Sequence, residues 1–408
     1  MYLTGPYKGA PYGLAVVVPA IAGPFNLGTV VVRQALFVDP TTAQVTVRSD
    51  PFPTILDGIP LRLQRVDVDM DRADFTINPT SCDPMSVTGT LTSTGGLSHA
   101  VSSRFQVGGC QALGFSPKLR MSLTGKGRTR SGDHPNLVST LTQPGGQANI
   151  RDVRVALPLS LALDPNNSQH VCDYATAAAV HGGAVGCPAS TIVGSATAVT
   201  PLLSKPLAGK VYLVQGLRCR RGQPSQQRKC VNGQTPIRTL PSLLIPLRGQ
   251  IALDLRAQTS IPAHGAQKLV TTFSTIPDAP VSKFTLQITG GRRGILVITG
   301  RGRSICTKRQ VTDASMGAQS GKTHAQNVSM STPCGQAARL RVLSRHLTAH
   351  ALLLRVKTSE RGRLTITGRD IDRYSHLLRA GTHHVHVRVR AHRHQRVRVH
   401  LKLTVPNA

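Results

Sequence analysis

The sequence predicts an all-β protein: tandem β-sandwich-like repeat domains with local disulfides, followed by a C-terminal immunoglobulin-like sandwich. Three observations carry this prediction. Short runs rich in Val and Thr alternate apolar with polar residues, and 38 Gly and 27 Pro separate these runs. β-branched residues fit the pleated surface of a sheet, whereas Gly and Pro favour turns. The other two observations are eight cysteines without a CxxC pair and an internal repeat.

Length and composition set the scale of the fold. A chain of 408 residues is too long for one ordinary core, and we expect about two to four domains. Apolar residues make up 40% of the chain, which is enough to fill such cores. Aromatic residues make up 3% and Trp is absent, so Val, Leu, Ile and Ala must provide most of the core volume.

The N-terminal region predicts strands joined by tight turns. Residues 9–32 carry no charge, but Pro and Gly interrupt them, so they predict two strands and a turn rather than a membrane span. Residues 29–50 predict a hairpin around the turn DPTT (39–42). Residues 61–71 alternate apolar and polar side chains, which predicts a half-buried strand.

The second half of the chain shows the same patterns. Residues 283–290 and 294–302 predict strands on either side of the turn GGRRG, and residues 173–181 predict one short helix. After residue 338, five alternating runs separated by turns predict a small sandwich. In the run HHVHVRVRAH (383–392) the Val side chains should face inward, and the His and Arg side chains should face solvent.

The cysteine count is even, and the absence of CxxC disfavours zinc-ribbon and thioredoxin-type sites. Sequential pairing would close four local loops, each contributing roughly 3 kcal/mol in the chain-entropy model. Paired cysteines would place the chain in an oxidising compartment. The predicted pairs are Cys82–Cys110, Cys172–Cys187, Cys219–Cys230 and Cys306–Cys334.

The internal repeat begins at two tyrosines, Tyr2 and Tyr212. From there, matching blocks follow in the same order, and each copy ends in a Cys pair separated by 28 positions. The matched blocks are 13–20 with 242–249, 29–39 with 249–259, and 47–68 with 269–290.

This repeat predicts the domain organisation. Residues 1–114 form an incomplete first unit, 115–147 a short connector, 148–337 a second unit, and 338–408 a basic domain. Because the first copy lacks a counterpart of the segment before Tyr212, we expect the natural protein to extend upstream of Met1, with a signal peptide there.

The net charge of +31 has two readings that the sequence leaves open. It can reflect a polyanionic partner, or it can reflect the preference of a GC-rich genome for Arg codons. Residues 338–408 hold 16 Lys and Arg and nine of the fifteen His, against three acids. The candidate anion-binding residues are His384, His386, Arg388, Arg390, Arg396 and Arg398.

Several blocks resemble a family of large secreted repeat proteins of high-GC actinobacteria, of uncharacterised function. They are YKGAPYGL (7–14), FNLGTVVVR (25–33), LDGIPLRL (56–63), FTINPTSC (75–82), CPASTIVGSATAVTPLL (187–203) and TIPDAPVSKF (275–284). The resemblance spans roughly residues 1–335, and the blocks are fairly specific. It implies an extracellular location and a C-terminal position in a longer protein, and it supplies no catalytic residues.

The sequence offers little for catalysis, metal binding or cofactors. There is no GxSxG, the cysteines are expected to be paired, and Glu occurs once, at Glu360. Asp67, Asp69, Asp71 and Asp74 lack the spacing of an EF-hand, and the C-terminal His residues lie among repelling Arg residues. We therefore expect no enzyme activity, no metal and no cofactor.

The predicted function is that of a non-catalytic structural or adhesive repeat protein of the cell envelope. The alternative is a module that binds an anionic cell-wall polymer or glycan through the basic C-terminal domain. Sequence-specific recognition of nucleic acid is not expected, because a reading helix and an aromatic platform are both lacking. The oligomeric state is left open. Steep salt dependence would favour the binding module.

Overall fold

The computed structural model describes residues 1–404 except 62, 70, 71, 73, 74, 126, 220–235, 301–303, 335–339, 360, 361 and 391–396. The fold is all-β, as predicted. Contacts divide the chain into two compact units, Met1–Thr332 and Pro333–Ala408. No helix among the described residues is long and apolar enough to cross a membrane.

The first unit begins with a four-stranded antiparallel sheet. Its strands, in spatial order, are β1 (Tyr2–Thr4), β2 (Tyr12–Ala22), β3 (Phe25–Val38) and β4 (Val45–Ser49). The uncharged run thus forms β2 and the first part of β3, and the predicted hairpin around residues 39–42 is confirmed. The Asp39 carboxylate holds this turn by accepting hydrogen bonds from the backbone N–H of Thr41 and of Thr42.

Two short ribbons follow this sheet. They are β5 (Ile55–Leu56) with β6 (Ile59–Pro60), and β7 (Met85–Thr92) with β8 (Ser98–Phe105). The strand predicted at 61–71 is wrong for the described residues, since residue 61 and residues 63–69 belong to no strand. An alternating pattern becomes a strand only when a neighbouring strand accepts its hydrogen bonds, and the described residues provide none here.

The largest element of the first unit is a nearly closed, barrel-like sheet of eleven strands. In spatial order it runs β21-β20-β11-β17-β16-β15-β14-β13-β18-β10-β9. The bounds are β9 Lys118–Thr124, β10 Asn136–Thr142, β11 Ile150–Ala156, β13 Ile192–Val199, β14 Leu207–Cys219, β15 Pro236–Arg248, β16 Ala252–Ser260, β17 Val270–Phe273, β18 Lys283–Ile288, β20 Val311–Ala318 and β21 Thr323–Ser329. A separate pair, β12 (Leu161–Leu163) and β19 (Leu296–Ile298), contributes Leu163 and Leu296 to the lining of its interior.

One side chain joins the two ends of this sheet. The Gln326 amide of β21 accepts a hydrogen bond from the Leu119 N–H (2.9 Å) and donates one to the Leu119 carbonyl (3.0 Å). Beyond it, the Ser331 N–H donates to the Met121 carbonyl, and the Leu123 N–H donates to the Ser331 carbonyl. A primary amide carries the same donor and acceptor as a peptide group, so Gln326 replaces a missing ladder step.

The interior of the eleven-stranded sheet is apolar because the strands alternate. In β9, Leu119, Met121 and Leu123 are buried, while Lys118 and Arg120 are exposed. Aliphatic side chains do not fill the enclosed space completely, and a cavity of about 160 Å³ remains. With few aromatic residues and eleven strands, the sheet encloses more width than such side chains can span.

The loop closed by Cys172–Cys187 covers the outer surface of β14 and β15. Its helix α1 (Tyr174–Ala178), which the sequence predicted, begins at Asp173, whose carboxylate accepts a hydrogen bond from the Thr176 N–H (2.9 Å). This N-terminal cap satisfies one of the free helix donors. The cluster beneath consists of Cys172, Ala177, Val180, Cys187, Val214 and Leu244.

A carboxylate ties the Cys82–Cys110 region to the large sheet. Asp278 Oδ2 accepts from the N–H groups of Thr80 (2.8 Å) and Ser81 (2.9 Å). Its Oδ1 accepts from Thr80 Oγ1 (2.8 Å) and Asn149 Nδ2 (2.7 Å). Two of the blocks that resemble secreted repeat proteins, 75–82 and 275–284, therefore meet through hydrogen bonds, which gives both a structural role.

The second unit is a sandwich of two three-stranded sheets. One has the order β22 (Leu340–Leu347), β23 (Ala351–Thr358), β26 (Gly381–Arg388); the other has the order β25 (Tyr374–Leu378), β24 (Gly362–Gly368), β27 (Val399–Thr404). Buried residues of both sheets form one core, including Val356, Val385, Leu364 and Ile366. The five predicted runs each contribute a strand, and β25 was missed.

The two disulfides whose partners the structure gives have the predicted sequential pairing. Cys82 pairs with Cys110, and Cys172 pairs with Cys187. Cys306 and Cys334 are both disulfide-bonded. The predicted pair of Cys219 with Cys230 lies outside the residues and side chains that the structure describes, so it stays a prediction. Short 3₁₀ turns complete the fold at Cys110–Ala112, Asn167–Gln169, Ala189–Thr191 and Ile305–Thr307.

Candidate anion-binding face

The outer surface of β26 carries three of the predicted anion-binding residues. His384, His386 and Arg388 are exposed, and between them Val385 and Val387 are buried in the sandwich core. The predicted inward direction of Val and outward direction of His and Arg are therefore confirmed. Because side chains alternate along a strand, these three cationic or protonatable groups lie about 7 Å apart in a row.

The neighbouring strand β23 extends this row into a surface. Arg355 lies opposite His384, and Leu353 lies opposite His386. Lys357 follows on the same side of β23, and both basic residues are exposed. Adjacent strands are about 4.8 Å apart, so Arg355 comes close to the β26 row.

The edge strand β22 contributes the third column. Arg341 lies opposite Lys357, and His346 lies opposite Leu353. The ladder shifts between Val342 and Ser344, which is a β-bulge. A bulge changes which face the following residues occupy. It thereby places His346 on the same side as Arg341.

We call the resulting surface the cationic face. Its members are Arg341, His346, Arg355, Lys357, His384, His386 and Arg388. It contains a shallow cleft of about 150 Å³, lined in part by His346, Arg355, His384 and His386. Among the described residues of this unit, the acidic side chains are Asp370 and Asp372, and neither belongs to the cationic face. No acid among the described residues of this unit therefore neutralises its positive charge.

The other predicted anion-binding residues lie elsewhere. Arg390 donates from Nε to Asp372 Oδ1 (2.6 Å), so a carboxylate compensates its charge. Arg398 directly precedes β27, a strand of the second sheet. Arg396 lies outside the described residues. One continuous basic run in the sequence thus divides between two sheets, because the chain leaves β26 before it enters β27.

Sequence reasoning missed Arg341, His346, Arg355 and Lys357. The alternation in ALLLRVKT (351–358) predicts that Arg355 and Lys357 face solvent together. It does not indicate that β23 pairs with β26, because strand neighbours are set by the tertiary fold. His383 does not belong to this surface, because it lies on the same side of β26 as the buried Val385; its Nε2 donates to the Arg379 carbonyl (2.7 Å).

A partly buried histidine–aspartate pair in the first unit is a second constellation that sequence reasoning missed. His134 Nε2 lies 2.6 Å from Asp164 Oδ2. The hydrogen bond from His134 lowers the pKa of Asp164, while burial works in the opposite direction. Among the described residues, no hydroxyl or thiol is hydrogen-bonded to the His134 ring. The pair connects the segment before β10 to the segment after β12, which is a structural task.

The described residues contain no group of three or more His, Cys, Asp or Glu that could hold a metal ion. Asp67 bonds to Arg65 instead (2.8 Å between Arg65 Nε and Asp67 Oδ2). Comparisons with protein-family models, with curated proteins and with solved structures return no match for this chain.

Proposed function

We propose that the chain is a non-catalytic, extracellular adhesive protein that holds an anionic polymer on the cationic face. The observation that supports this proposal is the grouping of seven basic or protonatable side chains on three adjacent strands, without a described acid among them. Disulfide-bonded cysteines favour an oxidising compartment. The resemblance to secreted repeat proteins agrees with that location.

The geometry of the cationic face favours a polymer over a compact anion. The basic groups form a grid with spacings of about 5 Å across the strands and about 7 Å along them. A chain of phosphate, sulfate or carboxylate groups can contact several of them at once. The cleft is shallow, so it does not enclose a single small anion or remove the water around it. The members of the face include no Phe, Tyr or Trp, the large rings on which bases of single strands usually stack.

The experiment compares charge on the cationic face with charge on the opposite sheet. One triple variant of the full chain carries Arg355→Gln, Lys357→Gln and Arg388→Gln. The matched control carries Arg363→Gln, Arg398→Gln and Lys402→Gln, which removes the same charge from exposed positions in the second sheet or directly before it. Heparin and a poly(glycerol phosphate) are titrated at several salt concentrations.

We expect the first variant to bind both polymers more weakly. The slope of its log K against log salt concentration should become less negative by about two to three. The control variant should retain most of the affinity. Equal losses in both variants would show that bulk charge, rather than the cationic face, attracts the polymer. Affinity that does not change with salt would contradict the proposal as well.

A further inference from the structure

The wall of the eleven-stranded sheet opens where β15 and β16 part. The two strands pair from Arg248 with Ala252 to Leu243 with Ala257, and their ladder stops there. Beyond that point β15 stays paired with β14, while Gln258 and Ser260 of β16 pair with β17 instead. We call the gap between residues 239–242 and residues 258–261 the fork.

The fork holds a pocket with a volume of about 530 Å³. Its lining mixes polar side chains such as Gln258 and Ser260 with apolar ones such as Leu240 and Ile261. The strand edges that face the fork are unpaired with each other, so their backbone N–H and C=O groups add further polarity. Tyr174 and Ala178 of α1 lie at its outer side.

The fork adjoins the apolar interior of the sheet. Leu243, where the pairing of β15 with β16 ends at the fork, lines both the fork and the interior cavity. Thr259 does the same. The interior cavity is lined almost entirely by aliphatic side chains, with Ser139, Thr259 and Thr271 among the few polar residues. A ligand that passes Leu243 and Thr259 therefore leaves polar surroundings and enters apolar ones.

Arg256 supplies a positive charge at the fork. Its Nη2 donates to the Ala177 carbonyl (2.8 Å) and to the Val180 carbonyl (3.5 Å), and no carboxylate of the described residues is bonded to it. The nearest acid along the strand, Asp254, is engaged by Arg248 (2.7 Å) and by the Gly182 N–H (2.7 Å). Burial lowers the pKa of the Arg256 guanidinium. A guanidinium has five N–H donors, so this one retains capacity for an anion.

No Asp or Glu occurs among the described residues that line the fork. The fork therefore presents one partly buried cation, several neutral hydrogen-bonding groups and an apolar cavity behind them. Ligand sites generally combine a mostly apolar surface with a few polar groups that fix orientation. A purely apolar ligand would leave Arg256 without an anion, and a small hydrophilic anion would leave the interior cavity unused.

We propose that the fork is the entrance of a binding site for a single-chain amphipathic anion, with its carboxylate or phosphate at Arg256 and its alkyl chain past Leu243 and Thr259 in the interior cavity. This site lies in the first unit and is independent of the cationic face. Burial of each methylene contributes about 0.8 kcal/mol. Affinity should therefore rise with chain length until the interior cavity is full.

The test uses the full chain and the fluorescent fatty acid cis-parinaric acid as the probe, displaced by competitors. The competitors are decanoate, decyl phosphate, decanol and acetate. We expect decanoate and decyl phosphate to displace the probe at least about tenfold better than decanol. A hydrogen bond to a charged group strengthens binding by roughly this factor. Acetate should not displace it. Decanol equal to decanoate would overturn the role of Arg256, and an absence of probe binding would overturn the site.

Three variants locate the two ends of the ligand. Arg256→Gln removes the charge, and Gln258→Glu adds a negative charge at an exposed position of the fork without touching α1. Both should weaken decanoate binding by about tenfold or more and leave decanol binding unchanged. Ser139→Leu fills the interior cavity and should weaken both ligands. Arg154→Gln, at an exposed position of β11 outside the fork, is the matched control. Normal decanoate binding by Gln258→Glu and Ser139→Leu would contradict the proposal.

Discussion

The sheet β1–β4 and the segment β14–β17 of the large sheet have the same strand order and the same antiparallel pairing. In the first, Val18 lies opposite Val30; in the second, Leu247 lies opposite Leu253. The tyrosines agree too, because Tyr2 lies opposite Ala15 and Tyr212 lies opposite Leu244. The two copies thus share a register as well as a sequence pattern.

Burial separates the two copies. Leu247 is 1% exposed, whereas its counterpart Val18 is 49% exposed. Leu213 is likewise 1% exposed, and its counterpart Leu3 is 58% exposed. In the second copy the neighbouring strands continue around an enclosed interior. In the first copy the same face is buried at Leu14 and Val32 but exposed towards the β2–β3 turn, where Val18 lies. An apolar pattern therefore sets which side chains share a face, whereas the neighbouring strands decide how much of that face is buried.

One cation sits at the same register position in both copies and performs a related task. Arg33 lies opposite Ala15 and stacks on the Tyr7 ring, 3.8 Å from its centroid. Arg256 lies opposite Leu244 and binds the carbonyl groups at the end of α1. Each arginine therefore fastens the segment that covers the outer surface of its own sheet.

The largest difference between the copies should appear on truncation of the matched pair Leu247 and Val18. We expect Leu247→Ala to lower the free energy of unfolding by about 2–5 kcal/mol, because it creates a cavity in a packed interior. Val18→Ala should cost less than about 1 kcal/mol, since the side chain is half exposed. Chemical denaturation of both variants measures the difference. Equal losses would show that the face of the first copy is covered in solution.

A smaller difference is expected at the carboxylate of Asp278, which lies in the block 275–284. Each carboxylate oxygen of Asp278 accepts two hydrogen bonds. An amide NH₂ group in place of either oxygen would therefore face two donors. Asp278→Asn should lower the free energy of unfolding by about 1–3 kcal/mol. It should also reduce the hydrogen-exchange protection of the Thr80 and Ser81 amides.

The control for that variant is Asp57→Asn in the first copy. Asp57 is exposed and adopts a φ of 47°, which Asn tolerates better than most residues. We expect its effect on stability to stay within about 0.5 kcal/mol. A comparable loss in both variants would mean that the four hydrogen bonds of Asp278 do not stabilise the fold.

The smallest effect concerns acid stability. His134 lowers the pKa of Asp164 through a hydrogen bond, and Lys8 followed by Tyr7 lowers the pKa of Asp50 in the same way. A carboxyl group with a lowered folded pKa stabilises the fold above its unfolded value near 3.8 and loses that contribution as pH falls through the folded pKa. Asp164→Asn and Asp50→Asn should therefore destabilise the protein at pH 6 and approach the unmodified chain near pH 2.

Solvent screening should make the Asp50 effect the weaker one, because Lys8 is largely exposed. Denaturation midpoints at several pH values measure both variants. A deficit of Asp164→Asn that stays constant down to pH 2 would show that the charge of Asp164 contributes nothing.

The repeat could be read from the sequence, but its register only in part: the match of 13–20 with 242–249 agrees with the strand pairing, and the next block does not. Sequence comparison aligns residues 29–39 with 249–259, so that Val30 matches Gln250. Pairing in the structure shows that Val30 corresponds to Leu253, a shift of three residues. The β2–β3 hairpin extends three residues further on each strand than the β15–β16 hairpin, and an ungapped comparison cannot reveal an extension inside a loop.

The candidate face shows the same limit. Alternation predicts that His384, His386 and Arg388 point to solvent, and they do. It also groups them with Arg390, which pairs with Asp372, and with Arg398, which leads into a strand of the other sheet. Charge and periodicity are local properties, whereas the pairing of β26 with β23 joins residues about thirty positions apart.

By itself the sequence determined the strand content, the inward or outward direction of side chains within most strands, the short helix, and the sequential order of the two disulfides that can be traced. These follow from spacing over a few residues, since a strand has a period of two and a small loop closes easily. The tertiary structure alone decided that Gln326 closes the large sheet, that β15 and β16 part to form the fork, and that a shared pattern is more deeply buried in one copy than in the other. Each of these depends on which distant strand completes a ladder, and hydrogen bonds between distant strands leave no periodic trace in the sequence.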